Sequence, residues 1–392
     1  MGFLLSSKND ERTVVILDVG SGSVGGAVVK LKKDNTTIPT ILRHARTDIT
    51  VRNELTFSSF LEDMLTALRA TLAKLQKDSG AIHEVYCTLA SPWYLTETRV
   101  IKMSRDRSFV FTKRIADGLF QKEVVLLRDA YEKKYGGVGS APEVIEHNIV
   151  AISLNGYPVL DPLGKRTRSI EMNMIISLSP ALCLKKLREA IGQTFHLATI
   201  EFSSFMAASY IAVRDKYVDA DSYLLIDIGG EVTDISIVTK GILKASLSFP
   251  FGTNGVYKYM CDRLHIEMRE ARELFELFQT RTLEETRVQK LTPVLASIEN
   301  AWGESLRQCI SLLPHALHLP NTVFLTVDTP QQEWFKKVIC NEEYIQSLVA
   351  DHRCTVVTLD GPLFLNMCGV QEGSCDPFLM IEAVALMRRK EK

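Results

Sequence analysis

The chain has 392 residues, 46% of them hydrophobic and 24% charged, with a formal net charge of −1. That length exceeds what one hydrophobic core sustains, so two lobes or more are expected. The near-neutral balance argues against a nucleic-acid binder that relies on bulk charge, and no apolar run reaches the ~18 to 20 residues of a membrane span.

The first residues, Met1-Gly2-Phe3-Leu4-Leu5-Ser6, match the loose N-myristoylation pattern, and a frayed polar lead-in to the first strand explains them equally. Residues 14–20 are apolar and β-branched and predict a buried strand. Ser21-Gly22-Ser23 makes a turn, residues 26–31 return as a second strand and 38–45 form a third. Residues 54–77 predict a helix with Phe60, Leu61, Met64, Leu65 and Leu68 on one face, and 85–89 predict a strand. From 92 to 169 the strand-like and helical pieces look short, and residues 134–139 are glycine-rich, as in an inserted subdomain. Residues 172–178 read as a buried strand, 181–193 as a helix, 197–202 as a strand and 203–213 as a tightly packed helix. Three short strands follow at 223–228, 234–238 and 243–249. Residues from about 253 to 318 are largely helical, 322–327 form a strand, and 377–389 form a helix apolar on all sides, as burial requires.

Two of these segments are one motif. Asp18-Val19-Gly20-Ser21-Gly22-Ser23 and Asp227-Ile228-Gly229-Gly230-Glu231-Val232-Thr233-Asp234 each place an aspartate at a strand end, then a glycine turn carrying a hydroxyl, then a return strand. A single duplication of this kind implies two related lobes rather than a solenoid. Gly20, Gly22, Gly229 and Gly230 would let backbone N–H groups approach phosphate oxygens, and Ser21, Ser23 and Thr233 would add hydroxyl donors. Asp18 and Asp227 would hold a hydrated Mg²⁺, which uses few protein ligands. One such hairpin alone would be an ordinary glycine turn.

With these residues the chain resembles the actin-like (ASKHA) superfamily, and within it the FtsA/PilM family of division and pilus-assembly proteins. The two hairpins resemble the phosphate 1 and phosphate 2 motifs. Ile200-Glu201-Phe202-Ser203-Ser204-Phe205-Met206-Ala207-Ala208-Ser209 is similar to the helix entered before the second lobe. The stretch from Ile145-Glu146-His147-Asn148 to Asp161-Pro162-Leu163-Gly164 resembles the returning part of FtsA's inserted subdomain. Phe249-Pro250-Phe251-Gly252-Thr253-Asn254 resembles the segment after the phosphate 2 hairpin, which would add Gly252 and Thr253 to the nucleotide contacts. The resemblance implies an α/β, ribonuclease H-like fold of two lobes. Residues 1–91 and 170–203 would form the first lobe, 92–169 an FtsA/SHS2-like insertion, 204–345 the second lobe, and 346–392 a segment returning to the first. It also implies ATP and Mg²⁺ as cofactors, with Glu201 orienting a water or instead capping the interlobe helix.

The adenosine half departs from the family. Phe324-Leu325-Thr326-Val327-Asp328-Thr329-Pro330 lacks the glycine turn that receives the base, and Ala271-Arg272-Glu273-Leu274-Phe275 carries Arg and Phe where Glu and Lys are usual. The expectation is weak nucleotide binding or none. No amphipathic membrane helix follows 377–389, so the resemblance implies a cytoplasmic scaffold recruited by a membrane protein's cytoplasmic tail or another division or pilus protein. Self-association into filaments is open, while nucleic acid and direct membrane contact are not expected. A small-molecule kinase and a partner-binding pseudo-ATPase are the alternatives, though no catalytic base or sugar loop stands out for a kinase. The eight scattered cysteines form no Cys-x-x-Cys pair and read as reduced core thiols. His315 and His318 have a metal-compatible spacing but no carboxylate nearby in sequence.

Overall fold

Two sheets built on one plan organise the chain. The computed structural model describes residues 11–32, 37–52, 55–77, 82–135, 141–196, 198–313, 319–341, 354–374 and 376–388. The N-terminal hexapeptide, the glycine-rich loop at 136–139, His315, His318, Cys375 and residues 389–390 lie outside them.

In the first lobe β1 (Glu11–Val19), β2 (Ser23–Lys32) and β3 (Thr40–Asp48) form an antiparallel meander. On the other side of β1, β4 (Glu84–Leu89) and β9 (Thr199–Ser204) run parallel to it, and a short β15 (Gly369–Val370) edges β3. The second lobe repeats this order. There β10 (Tyr223–Ile228), β11 (Thr233–Thr239) and β12 (Ile242–Phe249) form the meander, and β13 (Thr322–Val327) and β14 (Thr355–Thr358) extend it in parallel. The central strands β1 and β10 are buried on both faces, which is why each reads as an unbroken apolar run.

Helix α1 (Phe57–Gln76) starts where Thr56 and Ser59 form a reciprocal cap and buries Phe60, Leu61, Met64, Leu65 and Leu68. It packs beside α3 (Ala181–Thr194) on one face of the first sheet. The other face carries α4 (Phe205–Lys216) and α9 (Pro377–Arg388). Residues 379–386 of α9 are all buried, as the lack of a polar face requires. Its last described residue, Arg388, pairs with Asp215.

A third sheet carries β5 (Leu95–Val110), β6 (Pro142–Leu154), β7 (Tyr157–Pro158) and β8 (Arg166–Pro180) in the order β5-β8-β6-β7. Helix α2 (Lys113–Tyr135) packs against β6. The short pieces expected here are corrected to a 16-residue strand and a 23-residue helix. The cause is low burial: beyond Thr96 and Ile101, β5 is exposed or half-exposed, so the apolar periodicity that reveals an element is missing.

The second lobe closes with α5 (Thr253–Leu264), α6 (Met268–Gln279), α7 (Glu285–Ser311) and α8 (Gln332–Asn341). Trp302 on α7 is fully buried between Phe249 and Phe335, and its Nε1 donates to Thr233 Oγ1 at 3.4 Å. Of the described cysteines, Cys87, Cys183, Cys309 and Cys368 are buried and Cys261, Cys340 and Cys354 half-buried, and all seven are free thiols. Trp302→Ala removes a large ring from a packed core, so it should cost about 3–5 kcal/mol in urea denaturation.

Candidate functional site

The two lobes meet at their hairpins, and they meet without a gap. A Cβ built on Gly230 would lie 2.5 Å from the Gly22 backbone, and the Glu231 N–H donates to Ser21 Oγ at 3.0 Å. Gly20 N–H and Gly229 N–H are taken by their own turns, bonding to Ser23 O at 3.1 Å and Val232 O at 2.9 Å. Thr233 Oγ1 donates to Phe251 O at 2.6 Å. Gly252 precedes α5, whose first N–H groups, on Thr253 and Asn254, donate to Gly229 O and Gly230 O at 2.9 and 2.8 Å. Of the expected phosphate donors, the Gly20 and Gly229 N–H groups and the Thr233 hydroxyl therefore bond to protein.

Asp18 is 3% exposed and makes an ion pair with Arg46, Nη2 to Oδ2 at 2.8 Å. The register explains how. Asp18 faces Gly25 on β2, and Gly25 faces Arg46 on β3, so the guanidinium crosses one strand to reach β1. A Cβ on Gly25 would lie 2.5 Å from Arg46 Nη2, so this glycine makes the slot. Arg46 Nη1 also donates to Ser23 Oγ at 2.8 Å. Its Nε and Nη2 donate to the two oxygens of Asp376 at 2.8 and 3.1 Å. Asp376 in turn accepts from the N–H groups of Phe378 and Leu379, just ahead of α9 with Pro377 at its first position. One arginine thus joins β1, the first hairpin and the start of the C-terminal helix.

Charges in this region are strongly perturbed. Burial alone would push the Arg46 guanidinium down, but Asp376 and Asp18 outweigh it and hold it charged. Burial raises Asp376 too, yet Arg46 dominates and leaves it below the usual carboxylate range. Asp18 shares that cation, and burial with the charges of Asp376 and Asp328 leaves it raised. Glu382 of α9 is 3% exposed and is pushed well above its ordinary value by burial and by Asp18. In the second lobe Asp227 accepts from Thr326 Oγ1 at 2.6 Å, and burial with the charge of Asp234 pushes it well up. Asp234, bonded by Ser91 Oγ at 2.9 Å, is pushed by burial to about 7.

Glu231 has its own partners: Lys258 Nζ at 2.9 Å and Asn254 Nδ2 at 2.9 Å, both on the first turns of α5. On the adenosine side Phe275 is in the core, packed edge-on against Tyr257 and Trp334. Arg272 crosses to the first lobe and bonds Asp48 at 3.3 Å. Glu201 does not join the cluster. It is exposed on edge strand β9, two strands from β1, paired with Tyr86 rather than with the level of Asp18.

The residues as arranged do not fit ATP with Mg²⁺. A divalent ion needs the carboxylate that Arg46 holds, and phosphates need space that two glycine backbones fill. Among the described residues no group of three or more His, Cys, Asp or Glu has metal-binding geometry. Sequence reasoning missed Arg46, Asp376 and Glu382. Asp376 before Pro377 could have been read as a helix cap, but nothing in sequence links it to residue 46.

No protein-family model matches the chain, and no curated protein matches it in sequence. Solved structures do resemble it. The PilM-PilN type IV pilus biogenesis complex is 13% identical over 95% of this chain and 96% of the other, with a TM-score of 0.59. The ethanolamine utilization protein EutJ from Carboxydothermus hydrogenoformans is 11% identical over 96% and 90%, at 0.40. A Bacteroides thetaiotaomicron protein of actin-like ATPase fold and unknown function is 11% identical over 99% and 100%, at 0.37. At such identities the likeness concerns fold, and it rests on the first of the three. Taken with the repeated lobes, it shows the two-lobed actin-like fold that the paired hairpins implied.

Two outcomes are expected. Arg46→Met strands buried carboxylates and should cost about 3–5 kcal/mol in urea denaturation at neutral pH. Asp234 holds its proton more tightly folded than unfolded, so its stabilising contribution is complete below about pH 4 and is lost as pH rises through about 7. Asp234→Asn abolishes that loss, so its stability relative to the parent should rise by about 3 kcal/mol between pH 5 and pH 8 in denaturation curves.

Proposed function

We propose that the chain is an actin-fold scaffold of the PilM kind that works as a pseudo-ATPase, recruited to a membrane machine through a partner protein. The observation that carries the nucleotide half is the Arg46–Asp18 pair, because it puts a fixed cation where a metal-binding carboxylate would otherwise act. Glu231 supports it from the second lobe: a carboxylate at the start of α5, held by Lys258 and Asn254, takes the position that suits an anion at a helix N-terminus. The cleft supplies its own cation and its own anion.

The scaffold half draws on the fold likeness to the PilM-PilN complex, a pilus biogenesis assembly, across nearly all of both chains. On this reading the β5–β8 sheet with α2 is the FtsA-type insertion, and the partner is the tail of a membrane protein. No helix among the described residues is long and apolar enough to cross a membrane. A pilus role is favoured over a division role by that same fold likeness.

Titration of the full chain with ATP and Mg²⁺ by calorimetry, together with thermal denaturation, tests the nucleotide half. The expected outcome is no heat of binding and an unchanged Tm, whereas binding with a micromolar Kd, worth about 8 kcal/mol, would show that the cleft opens and accepts nucleotide.

A further inference from the structure

We propose that the far end of the third sheet is a docking surface for an anionic lipid bilayer. Four large apolar side chains stand exposed there: Leu160 at 106%, Tyr157 at 75%, Leu163 at 52% and Val110 at 38%. Scattered exposed apolar residues are ordinary, but several at one end of one sheet are not.

The cluster is held in place. Asn155 and Gly156 turn the chain between β6 and β7 with φ of 51° and 84°, and Asn155 Oδ1 accepts from the N–H groups of Arg168 and Ser169 and from Thr167 Oγ1. Gly164, at φ 79°, donates to Phe111 O at 2.8 Å, and the Phe111 N–H donates to Lys165 O at 2.9 Å. Phe111 is fully buried and Thr167 is 1% exposed, so the 155–169 segment is pinned to the sheet on its inner side. Leu160 and Leu163 lie between these anchors and face outward. Such a loop spends little conformational entropy on presenting its apolar tip.

Basic residues flank the tip on the segments that pair there. Arg105, Arg107, Lys113 and Arg114 come from the end of β5 and the start of α2, and Lys165, Arg166 and Arg168 from the start of β8. All seven are exposed, and among the described residues none of them forms an ion pair. The guanidinium of Arg105 lies over the Phe109 ring, 4.7 Å from its centroid. The same two segments, residues 104–118 and 155–169, hold three carboxylates, Asp106, Asp117 and Asp161. Seven cations against three anions make this end positive on a chain whose net charge is −1.

Exposed aliphatic side chains beside exposed arginine and lysine suit an anionic headgroup layer over its acyl boundary. Exposed leucines at a turn suit insertion below a headgroup layer, and they add nothing to binding a phosphate backbone. Neither half of the surface is strong alone, so the contact would be weak and salt-sensitive. It would orient the molecule on a membrane to which a partner holds it. This inference does not depend on the state of the nucleotide cleft.

Co-flotation of the full chain with vesicles tests it, comparing phosphatidylcholine alone with phosphatidylcholine mixed with phosphatidylglycerol. Binding is expected only to the anionic vesicles and should weaken at least about tenfold as salt is raised well above physiological strength. Leu160→Asp with Leu163→Asp, and separately Arg105→Glu with Arg107→Glu, should each reduce binding about tenfold or more with unchanged Tm. All four positions are exposed, so the fold should survive. The proposal fails if the parent does not float, or if the leucine variant floats like the parent. It fails equally if the substitutions instead abolish a concentration-dependent self-association seen by ultracentrifugation without vesicles, because the tip would then be an interface between copies.

Discussion

One guanidinium sets the terms for the rest of the molecule. Arg46 faces Asp18, Ser23 and Asp376 at once, and these three groups belong to the central strand, the first hairpin and the cap of the last helix. Taking such a charge out of water is expensive, and an ion pair repays it only when the remaining donors are also satisfied. Here Nε and both Nη atoms have partners, and the bidentate Asp376 contact matches the planar fork that distinguishes arginine from lysine. Because Asp376 also caps α9, removing the arginine would disturb helix and hairpin together, although they lie more than 300 residues apart in sequence.

The second lobe solves the same electrostatic problem differently. The position equivalent to Gly25, opposite the strand-end aspartate, is Asp234, so no slot exists there for an incoming arginine. Asp227 and Asp234 instead rely on hydroxyl donors from Thr326 and Ser91, and both are pushed toward the protonated form by burial. One sheet plan therefore carries one aspartate paired with a cation and another held by a hydroxyl donor. Arg272 and Asp48 add a bond between the lobes at an exposed position, where a single pair is worth at most about 1 kcal/mol. The closed arrangement depends on the hairpin backbones, with the surface pair as a minor contribution.

Much of this architecture was legible before any coordinates. Strands buried on both faces announce themselves as apolar runs, so β1 and β10 were plain, and the repeated Asp-x-Gly turn tied them into one duplicated plan. The one-sided helix expected at 54–77 and the all-apolar helix expected at 377–389 were equally readable, and they run over 57–76 and 377–388. The third sheet was only partly so: the buried run at 172–178 was read as a strand and lies in β8, while β5, largely exposed, gives up the periodicity that burial imposes. In the site, the hairpins were expected to face each other and do, but nothing in sequence showed that they meet without a gap. Arg46 sits in an unexceptional stretch, Arg43-His44-Ala45-Arg46, and its role follows only from sheet register and from a partner in the last helix's cap. Glu201 was placed by analogy with a motif and ended on an edge strand, since analogy locates a strand but not which side chain reaches the cleft.

The glycine turns show why a motif and its ligand can part company. Gly20, Gly22, Gly229 and Gly230 are what a phosphate cradle needs, but the close approach of the lobes needs Gly22 and Gly230 as well. A side chain at Gly230 would strike the Gly22 backbone, and one at Gly252 would lie 2.3 Å from Gly229 O. These positions are thus constrained by packing whether or not nucleotide ever binds. The discriminating residues are those with no reason to exist in a phosphate site: the glycine that makes room for an arginine two strands away, and the arginine that fills it. The paired hairpins define the fold, while Gly25 and Arg46 bear on what the cleft does.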